Sequence, residues 1–411
     1  MKVCIVSTAP PTQCGIANYC LKLMKALRSE GSSKFIVLAD KRKPAYDNAP
    51  ATDGRIQIVR TWTRNSFRYP FEIFRSVLSE KPDVIHVQHE YLVFGSAFSS
   101  GFFPVLLLLL RLLHKPLIIT MHSVIPRNRL TPSFFNKYGL GKGLTFFGKL
   151  FMFLVTVAIG FFASKVIVHL KTANRTLVMD YKFKPIKVIV IPHGVDTYKL
   201  GLNSYDARKK LNLDGKKIIL FFGFVRPSKG IEHLIEAMPI VVSQCSDTIL
   251  LIVGNCHPYL TPKGVDYLSL LNNRVHELGL DEKVFFVSRF VPEEELYLFF
   301  SACDLVVFPY IEDDILGASG ALSSTIWFKK PTIATNVGRF AEDISDGENG
   351  LLVPPADPNS LAKAIISVLS NAELSQKFSE KLYKKAEERC WGNIAQKTYE
   401  LYRKCYITHN K

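Results

Sequence analysis

The run "KIILFFGFVRPSKGIEHLIEAM", residues 217–238, holds a strand, a charged turn and a helix in immediate succession. Its first residues are apolar without alternation, the pattern of a strand covered on both faces and hence of a parallel α/β sheet. Arg226 and Lys229 follow in a turn, and Gly230 opens a segment with helical spacing. In open α/β sheets ligands bind beyond the carboxyl ends of the strands, so Gly223, Arg226 and Lys229 stand where a ligand is expected. Two cations close together at a helix start offer a diphosphate counter-charge and oriented amides; the alternative is a pair of solvated turn residues.

The same order extends in both directions. "VCIVS" (3–7), "FIVLA" (35–39), "IQIVR" (56–60), "DVIHVQ" (83–88), "PLIIT" (116–120), "KVIVH" (165–169) and "KVIVI" (187–191) are strand candidates upstream. "TILLIVG" (248–254), "KVFFVS" (283–288), "DLVVFP" (304–309) and "PTIAT" (331–335) follow downstream. Segments of helical spacing such as "ANYCLKLMKAL" (17–27) fill most intervals. A chain of 411 residues is too long for one ordinary core, and 48% apolar residues suffice for two. The polar, turn-rich stretch 193–216 separates the two series. The expectation is an α/β protein of two doubly wound, Rossmann-like domains, residues 1–195 and 196–388.

Charge is distributed unevenly. Residues 1–200 hold 28 Lys and Arg against 10 Asp and Glu, whereas residues 201–411 hold 24 against 26. Between Glu90 and Asp180 there are ten basic residues and no acid. A one-sided basic half suits an anionic partner. The same stretch contains "FFPVLLLLLRLL" (102–113) and "LTFFGKLFMFLVTVAIGFF" (144–162). The second is long enough to span a bilayer, but spanning would separate strands that belong to one sheet. A core helix, or one half sunk in an anionic lipid interface, fits better. Regularly interleaved aromatic and basic residues are missing, so nucleic acid is not an expected partner. The eight cysteines lack metal or disulfide spacing and read as reduced thiols. The N-terminus starts directly with a strand and does not read as a signal peptide. The expected location is cytoplasmic, peripheral on the inner face of the membrane.

Several further loops follow strands. "STAPPTQCGIANY" (7–19) brings Gly15 to a helix start, where backbone amides can meet an anion or a sugar. "QHEYLVFG" (88–95), "TMHSVIP" (120–126) and "IPHGVD" (191–196) each place a histidine at a strand end. His86 and His89 point to opposite faces of a strand and do not form a metal pair. Glu312, Asp313 and Asp314 could hold a cation but lack a third ligand nearby, so a solvated acidic turn is the better reading. No nucleophile elbow, Walker loop or dinucleotide fingerprint stands in the required context.

Taken together these segments resemble the retaining glycosyltransferases of family 4, with the GT-B fold of two Rossmann-like domains facing across a cleft. The resemblance rests on "PPTQCGIANY", "DVIHVQHEYLVFG", "TMHSVIP", "VIPHGVD", "GFVRPSKGIEHLIEAM" and "GASGALSSTIWFKKPTIATNVGRFAEDISDGENGLLVPPADPNSLAKAI", in that order. "CWGNIAQKTYELY" (390–402) is similar to the family's last helix, so 389–411 is expected to return to the first domain. The resemblance implies transfer of a sugar from a nucleotide diphosphate sugar to a polysaccharide, glycolipid or other glycan or lipid-linked acceptor, without a metal or other cofactor. Arg226 and Lys229 would neutralise the leaving diphosphate, and His122 would lie near the transferred sugar. Gly317, Ala318, Ser319 and Gly320 would cradle the donor, with Ser324 beside it. Gly15, His89 and Glu90 would line the acceptor side.

One departure stands out. Where the family carries two glutamates separated by seven intervening residues, this chain has Leu316 and Ser324. Leucine cannot fill the role of the first, and serine fills that of the second weakly. Glu312, Asp313 or Asp314 could substitute, the donor could differ, or catalysis could be lost, leaving a GT-B-like binding subunit of a glycan-assembly complex.

Overall fold

A computed structural model of the chain describes residues 1–12, 14–31, 33–41, 55–137, 145–197, 202–255, 266–311 and 314–410. They form two compact units. The first comprises residues 1–194, 314–318 and 389–411; the second comprises 195–313 and 319–388.

In the first unit the order is β1 (Lys2–Val6), α1 (Gly15–Leu27), β2 (Lys34–Asp40), β3 (Ile56–Trp62), α2 (Tyr69–Glu80) and β4 (Val84–His89). Then come α3 (Ala97–Ser100), α4 (Phe103–Leu112), β5 (Leu117–Met121), α5 (Pro132–Lys137), α6 (Thr145–Phe162), β6 (Lys165–Val168), α7 (Lys171–Asp180) and β7 (Val188–Val190). The second unit runs α8 (Ser204–Leu211), β8 (Lys217–Phe222), α9 (Ile231–Gln244), β9 (Thr248–Val253), α10 (Tyr267–Glu277), β10 (Val284–Val287) and α11 (Glu293–Ala302). It continues with β11 (Leu305–Phe308), α12 (Gly320–Ile326), β12 (Thr332–Thr335), β13 (Leu351–Val353), α13 (Pro358–Leu369) and α14 (Ala372–Glu388); α15 (Trp391–Asn410) closes the chain in the first unit.

Both sheets are parallel, in the orders β3-β2-β1-β4-β5-β6-β7 and β10-β9-β8-β11-β12-β13. Each reverses direction beside its first strand, between β1 and β4 and between β8 and β11, which is where a doubly wound sheet opens a binding crevice. The strands are apolar because helices cover both faces. Two apolar clusters flank the first sheet and one encloses the second.

The last helix is bound into the first unit by identifiable contacts. Trp391 lies over Gly194, Tyr399 hydroxyl is 3.1 Å from Ser33 Oγ, and Tyr402 hydroxyl is 2.6 Å from His86 Nδ1. Residues 314–318 also cluster with the first unit, although the sequence places them within 196–388. The reason is a short antiparallel pairing in which Leu316 and Val124 exchange N–H···O bonds of 2.8 and 2.9 Å.

Candidate functional site

The loops leaving β8, β11 and β12 meet at the switch point of the second sheet. Gly223 ends β8 at φ 146°, with its N–H donated to Val253 O at 3.1 Å. A Cβ there would lie in ordinary contact with Ala321 of α12 and Tyr310 hydroxyl, so Gly223 neighbours both. Gly230 has φ 60°, and a Cβ would fall 2.1 Å from Pro309 O. Glycine alone lets the β8 loop press onto the β11 loop this closely. That approach carries Lys229 inward. It is 7% exposed, and its Nζ lies 3.5 Å from the centre of the Tyr310 ring.

The solvated-turn reading of Lys229 is therefore excluded. A buried ammonium over a ring face is stabilised by about 0.5–2 kcal/mol through the ring quadrupole. Arg226, at the same loop, is half-buried. Two participants were not legible in the sequence. Tyr310 is itself buried, packed on Phe340 and fixed by the hydroxyl of Thr335, which donates to Tyr310 O at 2.6 Å. Arg339, in the loop after β12, brings a second cation to the same ring, its Cζ 5.7 Å from the centre.

The helix expected to cradle a donor has two turns, Gly320–Ile326. Ser319 caps it, with its Oγ accepting from Leu322 N at 3.2 Å. Ser324 donates its hydroxyl to Gly320 O at 3.1 Å, a local bond to the helix backbone rather than an outward one. Leu316 packs on the apolar cluster of the first unit. Glu312 and Asp313 lie outside the described residues, and Asp314 belongs to the first unit.

In the first unit, His122 follows β5. Its Nε2 lies 2.8 Å from Gln88 Oε1 and its Nδ1 lies 3.2 Å from His169 Nε2; His169 Nδ1 is 2.9 Å from Ile191 O. Tyr19 packs edge-on against His122 and touches His169 and His193. Burial lowers every one of these imidazoles: His169 to about 3, His193 to about 4, and His122 well below the ordinary range, with its neighbouring histidines adding to the effect.

The bonding fixes where the protons sit. Ile191 O can only accept, so His169 Nδ1 carries a hydrogen. Donation to Gln88 Oε1 at the other end would require three ring hydrogens on two imidazoles, a net cation that burial opposes. A half-turn of the Gln88 amide, presenting Nε2–H to His122 and Oε1 to the His86 Nε2 that lies 3.3 Å from the amide, would satisfy both rings neutral. His122 thus has both ring nitrogens engaged by the protein. Gly317 presses against its backbone, since a Cβ would lie 2.5 Å from His122 O.

His89 does not suit an acceptor surface. It is 1% exposed, wedged against Phe103 and Tyr91, and burial lowers it to about 3. Glu90 remains partly exposed and accepts a hydrogen bond from Ser123 Oγ. Gly15 starts α1 with open space where a side chain would stand, and Cys14 caps the helix, its Sγ accepting from Ala17 N at 3.4 Å. Among the described residues no three His, Cys, Asp or Glu side chains are grouped to hold a metal ion.

Comparison with known proteins accords with this architecture. The family model described as Glycosyltransferase Family 4 matches residues 14–199, and that described as Glycosyl transferases group 1 matches residues 204–385. The chain belongs to the family 4 glycosyltransferases. An uncharacterised glycosyltransferase of Methanocaldococcus jannaschii is 28% identical over 226 residues, 53% of this chain and 54% of the relative. A D-inositol 3-phosphate glycosyltransferase of Nocardioides is 28% identical over 246 residues, 56% of this chain and 51% of the relative. The chain thus spans about half the length of the curated relatives it matches. Among solved structures, sucrose-phosphate synthase of Thermosynechococcus elongatus superposes with a TM-score of 0.77 at 22% identity, covering 99% of this chain and 100% of its own. Anabaena HepE in complex with UDP-glucose gives 0.70 at 17%, covering 98% and 100%. At such identities these likenesses show the GT-B fold of this family 4 chain, two Rossmann-like α/β domains.

Proposed function

We propose that the chain is a retaining glycosyltransferase that moves a sugar from a nucleotide diphosphate sugar to a polysaccharide, glycolipid or other glycan acceptor at the cytoplasmic face of a membrane. The observation that carries the reading is the buried Lys229 on Tyr310, held by the close approach of Gly230 to Pro309 O. In the transfer, the bond from the anomeric carbon to the diphosphate oxygen breaks and a bond to an acceptor oxygen forms. The acceptor proton leaves with the diphosphate or to solvent. Charge grows on the departing diphosphate, and Arg226, Lys229 and Arg339 are the groups to offset it. The amides at the start of α12 add neutral donors. HepE, of the same fold, is recorded with UDP-glucose, which supports a nucleotide sugar as donor.

The test is a panel of UDP-, GDP- and ADP-sugars read by thermal stabilisation, followed by product analysis. One nucleotide class should raise the melting temperature, the product should keep the donor's anomeric configuration, and EDTA should leave turnover unchanged. Stabilisation by none of the panel overturns the donor assignment; loss of turnover in EDTA overturns metal-independent transfer.

A second reading has its own observation. Leu316 is a packed, backbone-paired residue and Ser324 is bonded to its own helix, so neither supplies a carboxylate. On that reading the chain is a non-catalytic binding subunit, and turnover by the purified chain alone eliminates it.

A further inference from the structure

Helix α6 is apolar on every side apart from Lys149 and its two threonines, yet its fully buried residues lie on one side, among the described residues. Gly148, Val155, Thr156 and Ile159 are buried, recurring along one face at helical spacing. Gly148 is in close contact with the Phe135 ring and Gly160 with the Phe183 ring, and the Thr156 hydroxyl meets Tyr91 hydroxyl at 3.0 Å. On the opposite side Phe147, Leu150, Leu154, Val157 and Phe161 recur every three to four residues and are all exposed, Phe147 by 64% and Phe161 by 73%. That stripe is about 21 Å long at 1.5 Å per residue. Leu108 and Leu112 extend the apolar surface onto α4, which packs beside α6.

The rim of this surface is cationic. Lys149 is exposed on α6 itself, and Arg111 is exposed on α4. At the far end Lys187 Nζ donates to Gly160 O at 2.9 Å and Phe161 O at 3.2 Å. Lys184 and Arg111 lie near enough to Lys187 to lower its pKa further, after the effect of its partial burial. The sequence between Glu90 and Asp180 supplies no acid to offset these charges.

We propose that the exposed face of α6, with Leu108 and Leu112 of α4, docks in the plane of an anionic lipid bilayer. Apolar side chains enter the headgroup boundary while the basic rim meets lipid phosphates. Spanning is incompatible with the fold. Although α6 is long and apolar enough to cross a membrane, its buried face is part of the first unit's core and it leads directly into β6 inside the sheet. The inference deepens the membrane-face part of the proposed function, and it can fail without the donor assignment failing.

Co-sedimentation of the full chain with phosphatidylcholine vesicles, with and without phosphatidylglycerol, tests it. The chain should pellet with the anionic vesicles and be released by high salt. F147S/L154S/F161S should lower partitioning about tenfold or more, by loss of apolar burial, while keeping stabilisation by the active nucleotide sugar. R111E/K149E/K184E should lower binding to anionic vesicles selectively. Should the serine variant fold poorly, L154W in vesicles of brominated lipid gives an independent reading, because an inserted indole is quenched. Equal binding by wild type and both variants, absence of quenching, or resistance to extraction by salt and carbonate would overturn the proposal. So would a dimer that the serine variant converts to a monomer while vesicle binding is unchanged. Lost nucleotide stabilisation with intact vesicle binding would instead sink the donor assignment alone.

Discussion

At the strand ends of the first unit the polar groups are imidazoles kept neutral by burial, whereas at the strand ends of the second they are cations gathered on Tyr310. The charge totals run the other way. Residues 1–200 carry the whole positive excess, and residues 201–411 hold slightly more acids than bases. Net charge therefore does not locate the anion site. In the first unit, exposed cations lie around an apolar helix face and act as a field over a surface. In the second, a cation is drawn inside by loop geometry, where lower dielectric makes a single charge count for more. A diphosphate needs the latter and a lipid surface the former.

Removing the buried cation should have the largest effect. Lys229→Ala is expected to lower turnover by about 10²–10³-fold, the range for deleting one preorganised group that stabilises developing charge, and to abolish stabilisation by the nucleotide sugar. Arg226→Ala should act in the same direction. If neither variant changes turnover, the contrast between the units has no functional meaning and the phosphate loop is misassigned.

Acid should affect the other side of the comparison. Folded His86, His89 and His169 take up a proton only at about 3 and His193 at about 4, against 6.5 for an ordinary imidazole. Between those values the unfolded chain binds more protons, so stability is full above about 6.5 and falls as pH drops below it. Each ring contributes at most about 1.4 kcal/mol per pH unit. Lys22 and Arg389 near His193 act in the same sense. Calorimetry from pH 8 to 5 should show the transition assigned to the first unit moving down most. A midpoint that stays constant over that range would show that these rings are solvated or already charged.

A third, milder perturbation concerns Arg339. Its guanidinium is farther from the ring than the Lys229 ammonium, so Arg339→Ala should weaken donor binding by about tenfold, near the lower end for a charge-assisted contact. Arg339→Lys should recover part of it, since the charge returns without the planar fork. An unchanged dissociation constant in Arg339→Ala would confine the anion site to the β8 loop.

How much of this was legible depended on sequence distance. The long apolar strands, the β8 loop with its two glycines and the greasy helix are local patterns, and each lies where its pattern put it. Strand β13, three residues beside a polar turn, carries too short a run to register. Tyr310 and Arg339 were invisible because their role arises only when three separate loops meet. His89 was misread for a related reason: a strand-end histidine looks like a ligand until Phe103 and Tyr91 close over it. The placement of 314–318 with the first unit depends on a pairing between Leu316 and Val124 that no local pattern announces.

The smallest expected effect bears on the position where a carboxylate is missing. Ser324 spends its hydroxyl hydrogen on Gly320 O, so any bond it makes to a ribose must use an oxygen lone pair alone. Ser324→Glu improves helix propensity slightly and offers a charged acceptor from the same turn of α12. A charge-assisted bond is worth about 1.5–3 kcal/mol before the cost of ordering the longer side chain, so binding should tighten about threefold to tenfold. The gain should vanish for a nucleotide whose ribose lacks both hydroxyls, because the carboxylate then has no donor to meet. Equal tightening of both nucleotides would mean that the new acid acts on the fold rather than on the ligand. No change with either would place the ribose away from α12, and the second unit's recognition would then rest on its cations alone.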